Sequence, residues 1–145
     1  MGGNTRKYLE AWLELWRQTD TAYCRLLRRW NLSLNAYLVL ELLYQRPEGV
    51  EPAEIADTIS ILRQSVTVIL RDFENAGMII RRESKEDHRR KKILLSAQGR
   101  QKADEIVGTV SGIELEALSR MSSEEQKQVV ELSARYCRLF RELSE

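Results

Sequence analysis

The chain is poor in the residues from which most catalytic and metal sites are built: its 145 residues include one histidine and two cysteines. His88 lies far in sequence from Cys24, from Cys137 and from any serine in a nucleophile-elbow context. Neither a Gly-rich phosphate loop nor an HExxH motif occurs, so an enzyme is not expected. His88 reads instead as a solvent-exposed or phosphate-proximal side chain. The two cysteines form no CxxC pair and no Cys/His cluster, which argues against a disulfide framework or a zinc site; no metal and no cofactor is expected. Both are expected to act as small core hydrophobes. No apolar run approaches membrane-spanning length, and no charged lead runs into an apolar stretch with a small-residue cleavage site, so a cytoplasmic protein is expected.

A strong charge of either sign is also missing. The formal net charge is +1, which argues against a uniformly basic surface. The charge is arranged locally instead: residues 61–92 hold nine Lys/Arg against five Asp/Glu, whereas residues 101–145 hold six against nine. Such asymmetry suggests one region that meets a polyanion and another that meets something else. The length suits one compact domain, residues 1–145.

What is present is mostly helical pattern. Residues 5–30 contain neither proline nor glycine and place Leu9, Trp12, Leu13, Trp16, Tyr23, Leu26, Leu27 and Trp30 at helical spacing, as one long amphipathic helix would. Ser33 can cap a second, nearly all-apolar and therefore buried helix through about Gln45, which Pro47-Glu48-Gly49 ends. Val50 is extended, and Pro52 has the backbone angle favoured at a first helical position. A short helix over 52–60, a tight connection and a helix over 63–76 make a helix-turn-helix. Gly77 marks the C-terminal stop of the second of these.

Residues 78–83 and 91–96 read as two strands joined by the charged turn 84–90, and a hairpin behind a helix-turn-helix makes a winged helix over 33–96. Ser96 can cap a further helix over 97–118, and Ser122 with Glu125 forms a capping-box pattern that starts a last helix through about Leu143. The expected fold is mostly α with a small β part (α+β). In it a winged helix-turn-helix stands between long terminal helices, 5–30 and 97–143, whose apolar surface exceeds what so small a core can cover. A second copy of the chain is the simplest partner.

Within the helix over 63–76, Val66, Ile69, Leu70 and Phe73 fall in one narrow sector. Gln64, Val68, Arg71 and Asn75 lie opposite, with Ser65 and Thr67 on the flanks and Arg63 at the start. Gln pairs bidentately with adenine and Arg with guanine, Val68 can pack on a thymine methyl, and the hydroxyls suit phosphates or base edges. In the hairpin, Arg89 suits a narrow minor groove, where negative potential is concentrated, while Lys85, Arg90, Lys91 and Lys92 supply attraction to the backbone.

These residues carry a resemblance. Ile55-Ala56, Ser65-Val66-Thr67, Phe73-Glu74-Asn75-Ala76-Gly77-Met78-Ile79, Arg81 and the wing pattern Asp87-x-Arg89 with Leu95-Ser96 and Gly99 resemble the multiple-antibiotic-resistance regulator (MarR) family over nearly the full chain. The resemblance implies a homodimeric transcriptional regulator whose first and last helices interlock and whose winged helices bind double-stranded DNA. A two-fold dimer of this kind prefers a palindromic operator. The resemblance also implies that Asp87 holds a guanidinium of the wing in place. Effectors in the family commonly bind between the dimerisation and DNA-binding parts. Three positions depart from the pattern: Leu62 stands where a capping Ser or Asp is usual, Val68 where a polar residue is frequent, and Ser96 where Thr is commoner.

A repressor released by a small-molecule effector is therefore expected. Trp12, Trp16 and Tyr37 belong to a group of aromatics on the first two helices that either line a pocket for an aromatic or amphipathic effector or simply pack the core and dimer. Two other functions remain open. One is a winged-helix protein adaptor, which would have no use for a cationic hairpin. The other is a thiol-based redox regulator, in which Arg25, Arg28 and Arg29 would activate Cys24.

Overall fold

A computed structural model describes residues 2–145. The chain divides into two compact units, Met1–Ile106 and Val107–Glu145.

In the first unit, α1 (Gly2–Leu27) ends in a tighter 3-10 turn, Arg28–Trp30, closed by Asn31 in the left-handed conformation. Leu27 is the one residue of α1 that is buried in the single chain, so the apolar side of this helix stays open. Ser33 caps α2 (Leu34–Gln45) by accepting the Ala36 N–H at 3.1 Å. Val39, Leu40 and Leu43 of α2 are wholly buried, as expected of an apolar helix with no polar stripe. The helix-turn-helix follows as α3 (Pro52–Ile59) and α4 (Arg63–Asn75), with Ser60 left-handed at φ 56° in the turn between them.

The hairpin pairs β1 (Ile79–Glu83) with β2 (Lys91–Leu95) in antiparallel register from Ile79↔Leu95 to Glu83↔Lys91. Val50 adds a bridge to Ile93, with N–H···O bonds of 3.0 and 2.8 Å in the two directions. This bridge fixes the start of α3 to the base of the wing. Gly49, at φ +97°, makes the approach, and a Cβ there would crowd Leu94 and Lys92 at 3.0 Å. The core of the unit gathers Leu40, Leu43, Ile55, Leu70 and Ile93 around these junctions.

The helix α5 (Ala97–Ser119) runs on into the second unit, which also holds α6 (Ser123–Ser144). The capping box at Ser122 is complete: Ser122 Oγ accepts the Glu125 N–H at 3.2 Å, and the Glu125 carboxylate accepts the Ser122 N–H at 2.8 Å. No residue of α6 is buried, and Val130, Leu132, Phe140 and Leu143 are each more than half exposed.

The expectation for the cysteines fails. Cys24 and Cys137 are both exposed, because each stands on a long-helix face that the single chain does not cover. Helical periodicity marks an apolar face without saying whether the chain's own core or another molecule meets it. No helix among the described residues is long and apolar enough to cross a membrane.

Candidate nucleic-acid interface

The second helix of the helix-turn-helix is sorted by its own periodicity. Val66, Ile69, Leu70 and Phe73 are buried, which turns Gln64, Val68, Arg71 and Asn75 to the surface. Arg63 and Thr67 are exposed as well, and Ser65 is half-buried. Thr67 Oγ1 donates back to the Arg63 carbonyl at 3.0 Å. Leu62 occupies the N-cap position with extended backbone and no side-chain cap bond, so α4 starts without the hydroxyl or carboxylate that usually closes a helix.

The wing turn is built by two short polar side chains. Ser84 is buried at 7% exposure; its N–H donates to the Arg90 carbonyl at 2.8 Å and its Oγ accepts the Glu86 N–H at 3.3 Å. Asp87 Oδ1 accepts the Arg89 N–H at 3.0 Å, and the Asp87 carbonyl accepts the Arg90 N–H at 3.0 Å. The brace therefore differs from the one expected. Asp87 holds the backbone at Arg89, not a guanidinium, because a carboxylate two residues earlier in a tight turn reaches the amide first.

That arrangement pushes Lys85, His88 and Arg89 outward, and all three are exposed. Among the described residues, ion pairs engage Arg46, Arg81 and Arg90 of the winged helix but not Arg63, Arg71, Lys85 or Arg89. Arg90 lies 3.8 Å from Glu51, at the N-cap of α3, and His88 Nδ1 lies 3.4 Å from Glu83. Pairs this exposed contribute little to stability. Their effect is to sort the cations: Arg90 is partly neutralised, whereas Lys85 and Arg89 are not.

Ser96 and Gly99 anchor the wing to α5. The Ser96 hydroxyl donates to the Gly77 carbonyl at 2.6 Å and accepts the Gly99 N–H at 2.9 Å, so one side chain closes the end of the recognition-helix segment and caps the next helix. Gly99 lies against the Met78 backbone, where a Cβ would fall on the carbonyl oxygen. Arg100 stacks over Tyr44 at 5.1 Å and donates to the Tyr44 carbonyl at 3.3 Å. A hydrogen bond to Asp104 raises the Tyr44 pKa.

The parts played by Ser84, Glu51 and the Arg100–Tyr44 stack emerge only in the folded chain. Only Ser84 carried a local signal, a serine two residues before an exposed turn amide. Of the three aromatics proposed for an effector pocket, Trp12 and Trp16 meet edge to face at 5.2 Å while Tyr37 is buried in α2 at 2% exposure. A separate cavity of about 490 Å³ lies between the α1–α2 connection and α4, walled by Trp30, Leu32, Val68, Asp72, Phe73 and Met78.

A helix-turn-helix with a braced cationic wing and an exposed polar recognition helix defines the winged-helix class of DNA-binding regulators. The MarR family model matches residues 30–90. The chain is 31% identical over 116 residues to the organic hydroperoxide resistance transcriptional regulator of Bacillus subtilis, covering 78% of this chain and 75% of that protein. It is 30% identical over 98 residues to an HTH-type transcriptional repressor of Mycobacterium tuberculosis, covering 68% and 70% respectively. Among solved structures it is similar to a MarR family transcription regulator with a TM-score of 0.84 at 22% identity, over 97% of this chain and 93% of that one. It is also similar to Streptococcus pneumoniae FabT in complex with DNA, with a TM-score of 0.80 at 18% identity, over 96% and 99%. The chain belongs to the MarR family and is a transcriptional regulator with a winged-helix fold.

Proposed function

We propose that this regulator binds a pseudo-palindromic operator as a homodimer, with α4 in the major groove and the wing at the adjacent minor groove, and that it represses until a small-molecule effector releases it. The observation that carries the reading is the pairing, on one unit, of an exposed Gln64/Arg71 face with a wing whose Lys85 and Arg89 have no carboxylate partner among the described residues. Cations held out from the chain's own acids are available to phosphates, and each phosphate neutralised makes affinity more salt-dependent. In this reading Arg63, Gln64, Ser65, Thr67, Val68 and Arg71 face the duplex, Lys85, Arg89 and Arg90 form the wing contacts, and Asp87 holds the wing in shape.

The homodimer is supported by the open apolar faces of α1 and α6. In the first unit Leu15, and in the second Leu132, Phe140 and Leu143, are more than half exposed in the single chain, and a second copy of the chain is the simplest cover for apolar side chains left open on each. A repressor role and effector release follow the resemblance and the naming of a relative as a repressor. The aromatics Trp12 and Trp16 stay the candidates for an effector wall. Gel retardation of a duplex pool over a salt series tests DNA binding. Retardation that weakens steeply with salt supports the reading, and none at low salt leaves a protein adaptor as the better one. Sedimentation at twice the chain mass tests the dimer.

A further inference from the structure

Leu62 and Val68 have no evident task in the fold. Leu62 is 73% exposed at the N-cap of α4, a position where a polar side chain would stabilise the helix, and it makes no cap bond there. Val68 is 51% exposed on the outward side of the same helix, although it also forms one edge of the cavity beside Asp72. Thr67 joins them. Because its hydroxyl donates to the Arg63 carbonyl at 3.0 Å, the methyl is the group left to face outward. Three exposed apolar groups thus stand at the N-cap and in the first half of the recognition helix, on the same element as the exposed polar side chains Gln64 and Arg71.

Among the groups on the major-groove edge of DNA, the C5 methyl of thymine is the apolar one. A cationic surround favours a polyanion over an apolar protein partner, and only a thymine-bearing duplex combines a polyanion with apolar points at groove depth. We infer that Leu62, Thr67 and Val68 read thymine methyl groups, so that this regulator recognises thymines at defined operator positions by their methyls and not by hydrogen bonds. The inference rests on the proposed placement of α4 in the major groove. Burying one methyl is worth about a threefold to fourfold change in affinity.

The test uses the full-length protein and duplexes it selects from a random-sequence pool, resynthesised with deoxyuridine in place of thymidine. Uracil pairs with adenine in the same way and lacks the methyl. Wild-type affinity is expected to fall by about threefold to fourfold for each methyl contacted. A Leu62→Ser, Thr67→Ser, Val68→Ser variant is expected to bind the two duplexes alike. All three positions are exposed, and a serine at position 62 can cap α4, so the variant has no reason to lose its fold. Equal wild-type affinity for the two duplexes overturns the inference and leaves the DNA-binding reading intact. A uracil penalty that persists undiminished in the variant overturns the residue assignment. Failure to select any duplex overturns the DNA-binding reading, and the inference with it.

Discussion

The Ser96 hydroxyl donates to the Gly77 carbonyl at 2.6 Å and accepts the Gly99 N–H at 2.9 Å, tying the exit of the helix-turn-helix to the start of α5. Ser96→Ala is expected to lower stability by about 1–2 kcal/mol, the usual worth of a lost N-cap with an orphaned carbonyl added. Ser96→Thr keeps the hydroxyl and should stay near wild type. Urea unfolding of the two variants measures the difference, and an unchanged midpoint for the alanine variant removes the tie from the account.

Gly99 has no room for a side chain, since a Cβ would fall on the Met78 carbonyl. The clash is with backbone that the hairpin and α5 both hold, so it cannot be relieved by a rotamer change. Gly99→Ala is expected to cost about 3 kcal/mol or more, seen as a large drop in Tm, whereas Gly112→Ala, with open space around it, should be neutral or slightly stabilising in the helix.

Asp87 separates shape from charge. Removing a carboxylate beside the wing cations should strengthen DNA binding if only electrostatics mattered. The bond to the Arg89 N–H at 3.0 Å reverses that expectation. Asp87→Ala should weaken binding despite the gain of one positive charge. Asp87→Asn keeps the acceptor oxygen and should bind at least as well as wild type. Tighter binding by the alanine variant would show that the brace does not matter.

The capping box gives a pH dependence of defined sign. The bonds from Ser122 hold the Glu125 carboxyl below its usual range. A depressed folded-state pKa stabilises the folded form above the ordinary carboxylate value, and that stability is lost as pH falls through the lowered one. The first turn of α6 is expected to fray under acid conditions, and Glu125→Gln should remove this part of the pH dependence. Amide hydrogen exchange at Glu125 follows it.

Much of the fold was legible because its signals are local. Ser33 and Ser122 stand where their hydroxyls meet amides three residues on, and Gly77 stops α4 through its own positive φ. What sequence could not supply was direction across space. Asp87 had a guanidinium and an amide within reach, and only the turn geometry chooses the amide. Arg100 finds Tyr44 across 56 residues of chain, a contact that no periodicity marks. Cys24 and Cys137 read as interior because the helices that carry them are apolar on one side, and which body covers that side is not written in the spacing. For the candidate interface, the helical step alone put Gln64 and Arg71 outside. The neutralisation of Arg90 by Glu51 needed the bridge between Val50 and Ile93.

Titration of Arg71→Ala and Arg89→Ala against a selected duplex over a salt series bears most directly on the proposed use of this fold. Arg71→Ala is expected to relax preference at one base pair by about 1–3 kcal/mol, and Arg89→Ala to lower affinity and reduce the salt slope by about one. Undiminished affinity and an unchanged slope in both variants would mean that this helix and this wing do not meet DNA as described.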